Sequence, residues 1–246
     1  MTFCTAHPAA IIDPLYLADI FMKTIFIYLT ALLLSNYPAL SQRSDTLAHY
    51  QTRFTVKQLS PPASLILVGL ISNGHSPESI KNEVAEERNE HFPRFKTHLD
   101  NYLQFSPLAV AYGLDAMGIK SKTDFANRTV ILLKGEFLAL GTTSLLKKAT
   151  HVLRPDGSSY TSFPSGHTTQ AFAAATFLSE EYKDRYHWMP YASYTVASSV
   201  GLLRVANNKH YISDVLVGAG IGYLAMKTAY WTHRYKWGRK RQHVNL

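Results

Sequence analysis

From Ser60 onward the chain shows helical periodicity almost without interruption, and strand signals are scarce. That pattern commits it to an all-α fold. The spacing predicts helices over Ser60–Ser72, opened by Pro61-Pro62, and from Ser76 to about Phe92. The second of these is highly charged, a surface helix with Ser76 as N-cap, Pro77 at N1 and Glu78 in the first turn. Further helices are expected over Thr97–Gly118, bent near Pro107, and over Phe125 to about Thr150. Three more close the chain: Thr168–Lys183, Trp188–Arg204 and His210–Tyr235. One long irregular stretch, His151–Pro164, rich in Pro, Gly and Ser, divides the second half. Irregular segments of that length within a compact domain usually serve a function or lack order. This one lies between the polar segments described next, which favours function. No internal repeat or linker appears, so residues 42–235 read as one domain.

The ends read differently. Residues 1–21 resemble an upstream extension. Residues 22–41 resemble a signal peptide, with Met22-Lys23, an apolar run from Thr24 to Leu34, and Ala39-Leu40-Ser41 before Gln42. Residues 236–246 form a basic tail, and His233–His243 mixes cations with Tyr235 and Trp237. Such a mixture suits contact with a membrane surface; nothing else in the chain supports nucleic-acid binding. The expected location is outside the cytoplasm of a bacterium, periplasmic or membrane-associated.

No later stretch reads as a convincing membrane span, because Val130–Leu146 contains Lys134 and Glu136 and the other apolar runs are short. The mean hydropathy of -0.09 is low for a six-span protein. The single cysteine, Cys4, excludes an internal disulfide or a cysteine-based metal site. A net charge of +8 suggests an anionic partner.

Three segments carry the chemistry. Lys147 precedes Arg154-Pro155 by seven residues, Pro164-Ser165-Gly166-His167 follows, and Arg204 stands six residues before His210, with Asp214 four further on. Lys147, Arg154 and Arg204 supply the point charge and planar forks that bind a phosphate. Ser165 can cap a helix, Gly166 lets the backbone approach a ligand, and the helix start offers free N–H groups to an oxyanion. His210 and Asp214 are four apart, and a carboxylate behind an imidazole orients a histidine nucleophile. His167 can then protonate the leaving oxygen. Cations neutralise the equatorial oxygens, so the scheme needs no metal and no cofactor. Taken singly, an Arg-Pro or a His/Asp pair is a common surface feature. Their combination in this order is not.

Lys-x6-Arg-Pro, Pro-Ser-Gly-His and Arg-x5-His-x3-Asp together resemble the type 2 phosphatidic acid phosphatase superfamily, which includes bacterial acid phosphatases, glucose-6-phosphatase-like enzymes and vanadium haloperoxidases. The resemblance covers about residues 97–230. Leu203 stands where the family has a serine before the arginine. It implies a six-helix bundle with the site at one end. It implies phosphate binding by Lys147, Arg154, Ser165, Gly166 and Arg204, with His167 as acid, His210 as nucleophile and Asp214 as its orienter. The expected activity is a metal-independent phosphatase acting through a phosphohistidine on a phosphorylated substrate, a lipid phosphate or isoprenoid pyrophosphate in the first instance. A soluble acid phosphatase is the alternative. A haloperoxidase, with vanadate in the anion site, is a further one.

Overall fold

A computed structural model describes residues 56–74 and 76–233 of the 246-residue chain. The expected extension, signal peptide and basic tail lie outside the described residues; of the mixed stretch His233–His243 only His233 is described. Eight α-helices occur among the described residues: α1 (Ser60–Ser72), α2 (Ile80–His91), α3 (Leu99–Leu103), α4 (Ser106–Ala116), α5 (Phe125–Thr150), α6 (Gly166–Tyr182), α7 (Met189–Ala206) and α8 (Ile212–Trp231). No strand occurs among them.

α1 and α5 match the ranges read from the sequence. Prolines at the first turn open α1, and Asp124 caps α5 by accepting from the Asn127 N–H at 3.1 Å. α5 ends where His151 adopts a left-handed conformation, φ 47°. Two expectations fail locally. Ser76-Pro77-Glu78 forms a turn rather than the helix start; Ser79, with extended backbone, takes the N-cap place before α2. Thr97–Gly118 is two helices, not one bent helix, because Pro107 has no N–H to continue a helix and instead starts α4.

Six helices, α1 and α4–α8, pack into a bundle, with α6 and α8 at its centre. Most of α6 is buried on every side, as is α8. Phe177, Tyr182, Ile131, Met226 and Tyr230 form the main core. Small residues let the two central helices touch backbone to backbone. A Cβ on Gly222 would stand 2.1 Å from the Thr169 carbonyl oxygen, and one on Gly218 would stand 2.7 Å from that of Ser165. This close approach brings the starts of α6 and α8 together, and the Ser165 N–H donates to the Asp214 carbonyl at 3.0 Å. The opposite end of α6 holds a buried polar cluster. Lys227 donates to Glu180 at 2.6 Å, and the Tyr230 hydroxyl donates to Glu181 at 2.6 Å.

α5 alters the reading of the membrane question. At 26 residues it is about 39 Å long, and it is apolar enough to cross a bilayer by length and composition. The two charges that argued against a span are turned inward or spoken for: Gln170 donates to Glu136 at 2.8 Å, and Lys134 donates to the Thr232 hydroxyl at 3.0 Å. The other side of the helix is apolar and exposed, with Phe137 at 77% and Leu145 at 71%.

Candidate active site

The three sequence segments meet at the end of the bundle where α6 and α8 begin. The Ser165 N–H donates to the Asp214 carbonyl at 3.0 Å, and a Cβ on Gly166 would stand 3.9 Å from Lys147 Cε, which leaves Arg154, Arg204 and His210 close enough to His167 to act on its charge.

His210 is buried, two residues ahead of α8 rather than within it. Its Nδ1 stands 2.8 Å from the Ser162 carbonyl oxygen and 3.5 Å from Asp214 Oδ2. The pairing with Asp214 therefore does not come from a shared helical face; α8 starts too late for that. Asp214 sits at N3 of α8, where its Oδ2 accepts from the Tyr211 N–H at 3.0 Å and from the Ser162 hydroxyl at 2.5 Å. Ser162 thus touches both members of the pair. Oxygen acceptors at Nδ1 place the imidazole proton there and leave Nε2 with its lone pair. Burial pushes the His210 pKa down to about 4, with Arg204 and Lys147 adding to the effect and Asp214 opposing it.

The cations come from three elements. Lys147 lies in the last turn of α5, and its ammonium donates to the Thr161 carbonyl. A Cβ on Gly166 would stand 3.9 Å from Lys147 Cε, so the glycine turn and the lysine face one another closely. Arg154 lies beyond the end of α5, in a turn closed by its own N–H to Ser159 O and by Gly157 N–H to its carbonyl, both at 2.9 Å. Lys147 and Arg154 therefore share no helix. Arg204 lies in the last turn of α7 and donates through Nη1 to Asp100 Oδ2 at 2.6 Å. The Nε groups of Arg154 and Arg204 are both buried and meet no acceptor among the described residues. Each such donor costs about 1–3 kcal/mol, and an oxyanion beside them would satisfy both.

The Pro-Ser-Gly-His turn contains a cis Phe163–Pro164 peptide. Ser165 is fully buried and caps α6, its hydroxyl lying 2.9 Å from Thr168 Oγ1. The N-terminus of this long, buried helix presents its positive end to the cations' meeting place, as an anion site requires. His167, half-buried, places Nε2 at 2.8 Å from Asn101 Oδ1. Burial and Arg204 push its pKa down to about 4.

Ser162, Asp100 and Asn101 escaped the sequence reading. Ser162 lies in a loop already marked as functional, but one serine among several there carries no distinguishing signal. Asp100 and Asn101 lie 104 and 66 residues from the partners they meet. A further ion pair, Lys209 to Asp156 at 2.5 Å, ties the Arg154 loop to the turn after α7. Lys148 and His187 are exposed. His151 is also exposed, with Nδ1 2.9 Å from the Lys148 carbonyl oxygen. Leu203 is half-buried beside Arg204. Among the described residues no three His, Cys, Asp or Glu side chains gather as a metal site.

The sequence model of the PAP2 superfamily matches residues 128–238. The lipid A 1-phosphatase of Porphyromonas gingivalis is 36% identical over 154 residues; the match takes in 62% of this chain and 35% of that protein, so the chain spans about a third of its relative's length. Among solved structures, LpxE of Aquifex aeolicus aligns with 65% of this chain and 97% of its own, at a TM-score of 0.48 and 20% identity. The transmembrane PAP2-type phosphatidylglycerolphosphate phosphatase of Bacillus subtilis aligns with 69% of this chain and 94% of its own, at a TM-score of 0.43 and 22% identity.

Proposed function

We propose that this chain, whose residues 128–238 match the sequence model of the PAP2 superfamily, is a membrane-associated phosphatase of that superfamily that cleaves a lipid phosphate through a phosphohistidine. The observation that carries the proposal is the buried His210. Its Nδ1 is held by oxygen acceptors, Arg204 and Lys147 act on it, and Arg204 and Arg154 each keep a buried N–H that meets no acceptor among the described residues.

The reaction follows from that arrangement. Lys147, Arg154, Arg204 and the start of α6 hold the phosphoryl oxygens. His210 Nε2 attacks phosphorus, and the bond from phosphorus to the leaving oxygen breaks. His167 gives its proton to that oxygen. Asp214 and the Ser162 carbonyl stabilise the cationic ring that results. A water, deprotonated by the now neutral His167, then attacks phosphorus and releases His210 and inorganic phosphate. The cations neutralise charge on the equatorial oxygens throughout, so the reaction proceeds without a metal or cofactor. His167 is neutral in the free site at neutral pH. An incoming phosphate dianion offsets the field of Arg204 and raises the ring's proton affinity, which arms it as an acid.

Two features support a lipid as the rest of the substrate. The exposed apolar side of α5 suits contact with acyl chains, and the relative from P. gingivalis is named for a lipid A phosphate. The deciding experiment is a substrate panel on the purified full chain, with lipid A, phosphatidylglycerol phosphate and phosphatidic acid beside p-nitrophenyl phosphate. Lipid turnover above that of the soluble ester is expected, with His210→Ala lacking turnover but retaining tungstate binding. An active His210→Ala enzyme would exclude the phosphohistidine route. Preference for the soluble ester without detergent would exclude the lipid.

A further inference from the structure

We propose that Asp100 and Asn101, consecutive residues of α3, form a fourth segment of this site, Asp100 positioning Arg204 and Asn101 positioning His167. The inference rests on the phosphatase reading above and assigns residues that no motif of the family marks in this chain.

The geometry is specific. Asp100 is buried at 1% exposure and takes Arg204 Nη1 at 2.6 Å. Its other oxygen accepts from Asn207 at 3.3 Å. Asn207 in turn clamps the backbone of Thr97 with two bonds, accepting its N–H at 2.8 Å and donating to its carbonyl at 3.0 Å. The segment entering α3 is thereby fixed to the turn that follows Arg204. A carboxylate beside a phosphate-binding arginine looks wasteful, since it competes for the charge. A guanidinium, however, has five N–H donors in one plane. Using Nη1 on Asp100 fixes that plane and leaves Nε buried with no acceptor among the described residues. Asp100 thus sets the direction in which Arg204 offers its remaining donors.

Asn101 does for His167 what the Ser162 carbonyl does for His210. Each supplies a neutral oxygen at 2.8 Å from one ring nitrogen, Nε2 in His167 and Nδ1 in His210. The bond holds the ring in one orientation and takes one N–H of the imidazolium, so the Nδ1 proton is the one available for the leaving oxygen. A neutral partner suits an acid. A carboxylate there would raise the proton affinity of the ring and make it reluctant to release its proton. The charged and titratable groups acting on His167 are Arg204 on α7, Asp100 on α3, and His210 and Arg154 from the loops. Asn101 is exposed, so substituting it leaves the core intact.

The test measures kcat against pH for the full chain with phosphatidic acid in detergent micelles, whose alkoxide leaving group needs a proton, using Asn101→Asp and Asn101→Ala. In Asn101→Asp the alkaline limb of kcat should move up by about one pH unit, with the tungstate inhibition constant changed less than threefold. In Asn101→Ala kcat should fall about tenfold with KM nearly constant. Asp100→Asn should instead weaken tungstate inhibition about tenfold or more, because Arg204 loses its direction. An Asn101→Asp protein that melts like the wild type and keeps the wild-type pH profile overturns the role of Asn101. Should that variant fail to fold, Asn101→Ala with unchanged kcat overturns it equally. An inactive wild type would overturn the phosphatase reading itself, a separate outcome from either.

Discussion

The Ser162 hydroxyl donates to Asp214 Oδ2 at 2.5 Å, the same oxygen that stands 3.5 Å from His210 Nδ1. The serine therefore holds the carboxylate, and through its own carbonyl it also holds the ring. Ser162→Ala keeps the carbonyl and removes only the hydroxyl. Asp214 then loses one of its donors, and the expected result is a fall in kcat of about tenfold with KM little changed. Steady-state kinetics beside a melting curve checks this; a change confined to KM would contradict the assignment.

Anion binding should take up a proton. In the free site His167 titrates near 4, held down by burial and Arg204, so at pH 6.5 it is neutral. A dianion bound beside it raises its pKa, so between the free and bound values the complex holds more protons than the free protein. Affinity must then fall as pH rises through the bound-state pKa. Tungstate remains a dianion over this range. Titration calorimetry at pH 6.5 in two buffers of different ionisation enthalpy should report net proton uptake, reduced in His167→Gln.

The contact between α6 and α8 tolerates no side chain at Gly222. A Cβ there would stand 2.1 Å from a backbone oxygen, so Gly222→Ala should destabilise the bundle by about 1–3 kcal/mol and lower turnover by separating Ser165 from Asp214. Gly113, in α4, has nothing within 4 Å of its Cβ position. Gly113→Ala should be neutral or stabilising by about 0.4–1 kcal/mol. Paired melting curves in detergent test both expectations.

The outer face of α5 should lie in lipid. With Cys4→Ser as background, Phe137→Cys in native membranes should resist a water-soluble maleimide and react once detergent and denaturant are added. Rapid labelling in intact membranes would place that face in water.

Activity should survive EDTA, because three side-chain cations take the place of a metal in the proposed mechanism. Loss on chelation, restored by a divalent ion, would contradict it.

Helix positions were legible where local chemistry decides them. Pro61-Pro62 opens α1 and Asp124 caps α5, and both helices fall where the periodicity placed them. Ser76-Pro77 carries the same local signals yet forms only a turn, because Ser79 holds the extended backbone that begins α2. Lys147, Arg154, His167, Arg204, His210 and Asp214 stand out in the sequence because unusual residue types recur at fixed spacing. Asp100, Asn101 and Ser162 do not stand out. An aspartate in a short polar helix gives no sign that an arginine 104 residues later will depend on it. Nor can a sequence show on which side of a helix a charge falls. Glu136 and Lys134 looked like obstacles to a span, and the bundle provides both with partners.

Those partners bear on how the protein is made. A charge near the middle of an isolated span costs roughly 2.5–3.5 kcal/mol on entering a membrane. α5 is synthesised before Gln170 and Thr232 exist to receive Glu136 and Lys134. In the membrane-associated protein proposed above, it would be at ease in lipid only once α6 and the end of α8 had emerged beside it. On that proposal biogenesis would acquire an order, in which α5 waits for the helices that build the site, and a chain that had not completed the site would not have fully settled in its membrane.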